Sequence, residues 1–579
     1  MLRPAACPRL CNLFTKTRSL CNCILTPPLV RPLRTGPILA DNAVHGVPAC
    51  ASELLRSLLR GWDFHGYTVS DTDSIANMVN HHKWSENASQ ASCDALVYGG
   101  CDINSGPTYG TSLMHAVDSG LCSMDDVDAA LARTFRQRFD LGLFDPELSR
   151  PWSTLGEDDV GSEASAALNL EVAEQSLVLL LNRGALLPLP SGHRIAVVGP
   201  AAGYALEMMG THFKGFACPD NTLRCVVTPF EAIQATNGRA GGTTVYEPGC
   251  PLGAPPKSQV VIDAVSRAVK ASRDADYIVV FLGVNNRIQR RGAKRRPSDD
   301  RTEHEGHDRR EIDLSLVQRR LVSSLYDLKK PVVVVLFNGG STSIDTILDQ
   351  SMSKLAVVEA MHPGPLGGTA ITNGLFGQHA FGGRLPYSIY PATFTRSATA
   401  MTDMDLVRAP GKTFRYWNGE LLFAFATGLS LATVQMRIGG IEASGQRCRY
   451  FLRSDGGGNG STVALAVTHT SGPTVSQVTT AFWRPSAALA ASIPAKSNLF
   501  AFERRWISPG QTVKIDFALI GTDFETADRT TGDLVVYPGE YVVEFTDGAG
   551  QSVSVDVSIA GSKHTIERFP QVGQRGGPS

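Results

Sequence analysis

Four apolar runs constrain this chain more than anything else in it: Ile195 to Val198, Tyr277 to Leu282, Val332 to Phe337 and Leu355 to Val358. Each is four to six residues long and bounded by Gly, Pro, Asn or charge, and helical stretches separate most of them. A strand that is apolar on both faces must be covered on both faces, which is how the parallel sheets of α/β proteins are built. Residues 175–385 are therefore predicted to form an α/β sandwich domain with a mostly parallel sheet.

The flanks read differently. Residues 460–560 alternate in polarity, as in Ser461 to Val467, Thr512 to Phe517 and Glu540 to Phe545. Turn signals at Pro509-Gly510, Pro538-Gly539 and Asp547-Gly548 separate these segments, which predicts an antiparallel β-sandwich over 441–562. A connector covers 386–440, Gly456 to Gly460 reads as a hairpin tip or linker, and 563–579 is a tail. On the other side, Tyr67-Thr68-Val69 is a short strand ending in Ser70-Asp71. Ser123 should cap a helix with Asp125 and Asp126 in its first turn. Val127, Leu131, Thr134, Phe135 and Arg138 fall on one mostly apolar stripe of that helix, and Leu141 to Pro146 stops it. Another helix is expected from about Ala164 to Leu180.

At 579 residues the chain suggests about three or four domains. Its 54 basic and 55 acidic residues leave no global field favouring nucleic acid or an anionic membrane. No apolar run approaches the roughly 20 residues needed to cross a bilayer. Residues 1–41 are atypical: the first 40 hold six basic residues, no acid and four of the twelve cysteines. That head reads as a translation artefact or a targeting segment, and its C-x₃-C and C-x-C pairs are a weak zinc signal.

Three stretches could carry chemistry. Asp71 stands at the carboxyl end of a strand, where the catalytic groups of β/α barrels lie, although a strand-end Asp commonly just caps the next helix. Thr302 to Arg309, with Glu303, His304, Glu305 and His307, follows the strand Tyr277 to Leu282, on the edge where open α/β sheets bind ligands. Its spacing is not that of a metal-binding H-E-x-x-H helix, and the plain alternative is a charged loop. Gly283-Val284-Asn285 lacks the further glycines of a dinucleotide site. The basic run Arg287 to Arg296 reads as a solvated insertion rather than an RNA-binding segment.

Taken in order, these residues resemble glycoside hydrolase family 3. Gly46 to Cys50, Gly66 to Asp71, Gly100-Cys101-Asp102 and Leu141 to Pro146 are similar to its late barrel strands. Leu177 to Asn182, Ile195 to Pro200, Glu305 to Arg309, Gly382 to Pro386 and Tyr390-Pro391 are similar to its α/β sandwich domain. Thr413 to Tyr416 and Gly428 to Ser430 match its connector, and the tail resembles its fibronectin type III-like domain.

The resemblance implies a retaining exo-glycosidase. Asp71 falls at the nucleophile and Glu305 at the acid/base, with Glu303 as the fallback. No cofactor or metal is implied, and the partner would be an oligosaccharide or aryl glycoside. Asp71 to Ile75, Asn42 to Gly46 and the Cys218, Cys225 and Cys250 pattern are closer to the β-xylosidase branch, although that branch more often has Cys where Thr72 stands. Terminal β-D-xylosyl residues of xylan oligosaccharides are thus the implied substrate, with β-glucosides and α-L-arabinofuranosides as alternatives. The family is secreted. Eight cysteines after residue 42 and the sequons at Asn87 and Asn459 fit that, although no signal peptide is visible.

The sequence departs from the family in one main respect. Residues 42–150 match only the C-terminal part of a barrel that needs about 250 residues. The early strands, which in the family bring Asp, Arg and a Lys-His pair to the sugar hydroxyls, have no counterpart. The expectation is weak or absent turnover by this chain, with a non-catalytic carbohydrate-binding or interaction protein as the alternative.

Overall fold

The computed structural model describes residues 38–569, apart from 45, 62–63, 147–151, 210–217, 219–221, 252–254, 285–308, 310, 398–402, 404, 440–447 and 458–459. The chain divides into two compact units. The first takes the described residues of Met1–Val160, Arg529–Leu534 and Glu567–Ser579, and the second those of Gly161–Asp528 and Val535–Ile566.

The first unit opens with strand β1 (Ile38–Leu39), a hairpin of β2 (Ala43–Val44) and β3 (Val47–Pro48), and helix α1 (Glu53–Gly61). Strand β4 (Val69–Ser70) lies parallel to β1, and Val69 bridges in parallel to Ile103. Helices α2 (Ser74–Asn80), α3 (Ala88–Cys93), α4 (Thr108–Asp118) and α5 (Met124–Asp140) follow. Leu39, Cys50, Ile75, Met78, Ala91, Ala95 and Cys101 form the core. A Cys93–Cys122 disulfide ties α3 to the segment before α5.

Ser123 caps α5 as expected: its Oγ accepts from Asp126 N at 3.3 Å, and the Asp126 carboxylate accepts from Ser123 N at 3.0 Å. The apolar stripe of α5 does not behave as expected. Leu131 is 45% and Phe135 41% exposed, while Ala130, Thr134 and Gln137 turn inward. Of the expected stripe only Thr134 turns inward, beside Ala130 and Gln137, so the buried face is shifted from the one hydrophobicity had pointed to.

The second unit carries a six-stranded sheet: β5 (Val178–Arg183), β6 (Arg194–Val198), β7 (Thr243–Glu247), β8 (Tyr277–Gly283), β9 (Val332–Phe337) and β10 (Leu355–Glu359). The order is β5-β10-β9-β8-β6-β7, all parallel except β5, which runs antiparallel to β10. The four apolar runs are its central strands. Alternate residues feed opposite faces. The helices of this unit are α6 (Glu163–Ser176), α7 (Pro229–Arg239), α8 (Gln259–Ser272), α9 (Leu316–Tyr326) and α10 (Gly367–Leu375). Val198, Val280, Val334 and Val357 pack with Val261 of α8 and Leu321 and Leu325 of α9. Val197, Phe281, Val335 and Val358 pack with Ile233 of α7 and Leu375 of α10.

The helix expected to reach Leu180 stops at Ser176, and Val178 to Leu180 instead enter the buried edge strand β5. A short apolar run fits either element, and pairing with β10 settles it here. Gly283 ends β8 with φ +149°, and a Cβ there would fall 1.9 Å from the Phe337 carbonyl oxygen. Gly283→Ala should therefore lower the stability of the second unit by about 2 kcal/mol or more, read as a shifted urea midpoint. An unchanged midpoint would show that the strand ends can part without cost.

A β-sandwich completes the second unit. One sheet holds β11 (Thr433–Ile438), β13 (Ser461–Ser471) and β16 (Thr512–Leu519). The other is ordered β12 (Arg449–Arg453), β20 (Ser552–Ala560), β19 (Gly539–Thr546), β14 (Val475–Pro485) and β15 (Asn498–Ile507). Short strands β17 (Thr526–Ala527) and β18 (Leu534–Val536) precede β19. The sandwich is not wholly antiparallel, since β12 runs parallel to β20. Trp483, Phe524 and Tyr541 centre its core, with the Trp483 indole N–H donating to Asp523 O at 2.8 Å.

Candidate active site

Asp71 sits where the parallel segments of the first unit end. Its N–H donates to Leu39 O at 2.9 Å, and Ser70 N–H donates to Ile103 O at 2.9 Å, so the strand before it is held on both sides. Its own side chain is exposed, and its Oδ1 accepts from Thr72 N at 2.7 Å. Helix α2 begins immediately after, but the Asp71 carboxylate does not cap it: Ser74 N–H donates to the Asp71 carbonyl at 3.2 Å. The plain alternative for a strand-end Asp is thereby removed.

A second loop grips this one. Ser70 Oγ accepts from Ser105 N at 2.9 Å and from Asn104 Nδ2 at 3.2 Å. Thr72 Oγ1 and Ser105 Oγ are 3.0 Å apart, and Asp73 N–H donates to Ser105 O at 2.8 Å. Asp73 has φ +60°, so the turn is strained for a side-chain-bearing residue unless its surroundings hold it. Below, Asp102 Oδ2 accepts from Thr68 N at 2.8 Å, and its Oδ1 accepts from Arg133 Nε at 2.8 Å and Arg133 NH2 at 2.6 Å. The Asp102 side chain is 1% exposed. Sequence reasoning noticed Asp102 and Ser70 only as parts of motifs and missed Asn104, Ser105 and Arg133. Their polarity is ordinary, and only the juxtaposition of two loops gives them a task.

Glu303 and Glu305 lie outside the described residues, as do His304, His307 and the basic run. The structure therefore does not place the expected second carboxylate. It does place the sheet edge from which that stretch departs. Gln318, on α9, holds both sides of Gly283: Gly283 N–H donates to Gln318 Oε1 at 2.8 Å and Gln318 Nε2 donates to Gly283 O at 2.7 Å. Val284 N–H donates to Asn338 Oδ1 at 3.2 Å, and Asn338 Nδ2 donates to Glu359 Oε2 at 2.8 Å. Glu359 Oε1 also accepts from Met361 N at 3.1 Å. This chain of bonds stitches the carboxyl ends of β8, β9 and β10. Burial pushes the Glu359 carboxyl up to about 8. After the stretch, Arg309 donates to Ser341 O at 3.2 Å. Among the described residues, no group of three His, Cys, Asp or Glu side chains is arranged to hold a metal.

Of the cysteines after residue 42, four pair as Cys93–Cys122 and Cys218–Cys225, while Cys50, Cys101, Cys250 and Cys448 are free thiols. Disulfides fit a chain that matures in the oxidising secretory pathway. No helix among the described residues is long and apolar enough to cross a membrane.

The fold defines an α/β protein with a mostly parallel sheet, extended by a β-sandwich and preceded by parallel strand segments that end in an available carboxylate. Comparison with known proteins gives the family. Residues 177–431 match the Glycosyl hydrolase family 3 C-terminal domain. The probable exo-1,4-beta-xylosidase bxlB of Aspergillus fumigatus is 31% identical over 546 residues, covering 92% of this chain and 66% of that protein. The probable beta-D-xylosidase 6 of Arabidopsis thaliana is 33% identical over 430 residues, covering 71% and 50%. A solved family 3 exo-beta-xylosidase, XlnD, bound to a xylobiose aziridine activity-based probe, superposes with a TM-score of 0.77 at 25% identity, covering 92% of this chain and 66% of that one. This chain belongs to glycoside hydrolase family 3. It spans about two thirds of the length of the curated fungal relatives it matches.

Proposed function

We propose that the protein is an exo-acting, retaining β-glycosidase of β-xylosidase type, with Asp71 as nucleophile and Glu305 as acid/base, Glu303 being the fallback. The observation that carries this reading is the exposed Asp71 carboxylate at the end of a clamped parallel strand, free of helix capping. An Asp71 oxygen would attack the anomeric carbon while the bond to the leaving oxygen breaks and Glu305 protonates that oxygen. Water, deprotonated by the same glutamate, would then attack the anomeric carbon and release Asp71. Retention asks for carboxyls about 5–5.5 Å apart. Terminal β-D-xylosyl residues are the proposed substrate because the relatives named above are xylosidases.

A second reading, a carbohydrate-binding protein without turnover, is favoured by the three parallel segments described in the first unit, where a closed barrel has about eight strands. Weak hydrolysis of an aryl β-xyloside by this chain is expected for the same reason. A covalent probe needs only one attack, so labelling by a xylobiose-derived aziridine is the sharper test. Mass spectrometry should locate the label on Asp71. The Asp71→Asn variant should lose the label and any aryl xyloside hydrolysis, by about 10³-fold or more. Label on another residue, or turnover indifferent to the substitution, would overturn the assignment; no label with retained xylo-oligosaccharide binding would favour the second reading.

A further inference from the structure

Two of the free thiols stand together directly behind the strand that carries Asp71. Cys50, in the turn after β3, and Cys101, before the Ile103 bridge, are both fully buried in the core of the first unit. They are 51 positions apart in the sequence, yet the backbone two residues before Cys101 abuts that of Cys50. A Cβ on Gly99 would lie 1.7 Å from the Cys50 carbonyl oxygen, so only glycine permits the approach, and Gly100, with φ +66°, turns the chain into Cys101. The neighbouring Cys50 thiol and burial raise the Cys101 thiol well above its ordinary range, which keeps it protonated once folded.

Each thiol also donates to a carbonyl that the candidate nucleophile's strand uses. Cys50 Sγ approaches Leu39 O at 3.8 Å, the acceptor of Asp71 N–H. Cys101 Sγ approaches Ile103 O at 3.3 Å, the acceptor of Ser70 N–H.

We propose that Cys50 and Cys101 are a redox-convertible pair that closes to a third disulfide when the chain matures under oxidising conditions, bracing the strand that carries Asp71. The co-reactant is a small-molecule disulfide such as oxidised glutathione. One cysteine thiolate attacks it, forming a mixed disulfide and releasing one glutathione thiolate. The second cysteine thiolate then attacks the mixed disulfide, closes the Cys50–Cys101 bond and releases the other. Two electrons pass to glutathione, and the two cysteine protons end on the two released thiols. Closure belongs to folding, while the thiols are still accessible and their thiolates still form.

The test uses the full chain, refolded in a glutathione redox buffer, denatured without reductant in an alkylating agent and mapped by peptide mass spectrometry. The expected result is a peptide pair joined through Cys50 and Cys101, two hydrogens lighter than its reduced parts, beside the Cys93–Cys122 and Cys218–Cys225 pairs. Hydrogen exchange at the Ser70 and Asp71 amides should be slower in this form than after gentle reduction. Full alkylation of both cysteines while the other two pairs are joined would overturn the proposal. So would a lasting glutathione adduct on either one, or pairing of either with Cys250 or Cys448. Equal exchange at Ser70 and Asp71 in both forms would overturn the bracing.

Discussion

Glu359→Gln should abolish most of the loss of stability that the second unit shows between about pH 5 and pH 8. Glu359 is fully buried at the end of β10, and burial raises its carboxyl from 4.5 to about 8, against the weaker opposing pull of the Asn338 and Met361 hydrogen bonds. The unfolded chain ionises this group near its ordinary value. Between those two values folding must therefore take up a proton, and each pH step makes that harder. The penalty is absent below about pH 4.5, grows through the window and levels off above about pH 8. Its full size is on the order of 4–5 kcal/mol as an upper figure. Glutamine keeps an acceptor for one of the two donors and has nothing to titrate. Urea midpoints at pH 5 and pH 8 decide the matter. Wild type should lose stability across the interval and the variant should lose much less; parallel slopes would mean that Glu359 does not fold as the neutral acid.

Asp102→Ala should destabilise the first unit by about 3–5 kcal/mol and leave the second unit's unfolding transition where it is. Asp102 is the shared anchor of Thr68 N–H and the Arg133 guanidinium, and its side chain is almost wholly enclosed. Truncation leaves a backbone donor and a cation without their acceptor, which costs more than the pair itself is worth. Asp102→Asn should fall between the two, because an amide oxygen still serves one donor. Hydrogen exchange at Ser70 and Asp71 reports the unit directly, since their strand follows Thr68. A loss below about 1 kcal/mol would show that Arg133 and Thr68 find water instead.

Much of the second unit was legible because its strands carry their own burial signal. The runs at 195, 277, 332 and 355 are apolar on both faces, which fits only a covered sheet. The edge strands were not legible. Thr243 to Glu247 has no apolar run, and Val178 to Leu180 was absorbed into the expected helix, because edges are chosen by what lies beside them. The site divides in the same way. Asp71 stood out as a candidate through its position after Val69-Ser70 together with the family resemblance. The clamp of Asn104 and Ser105, the Asp102–Arg133 anchor and the Glu359–Asn338 relay join residues 21 to 35 positions apart whose types are common anywhere.

The sequence by itself determined the class of the chain: a covered parallel sheet, a β-sandwich after it, and a carboxylate at a strand end in a family 3 framework. Periodicity and run length carry the sheet and the sandwich locally, since a strand's faces are set by alternate residues whatever its partners, while the family framework came from the order of the motifs it resembles. Only the tertiary structure decided which face of α5 is buried, that Val178 to Leu180 form a strand, and that two buried thiols share the core behind Asp71. Those outcomes depend on the free energy of pairing distant segments, which also leaves Leu131 and Phe135 exposed.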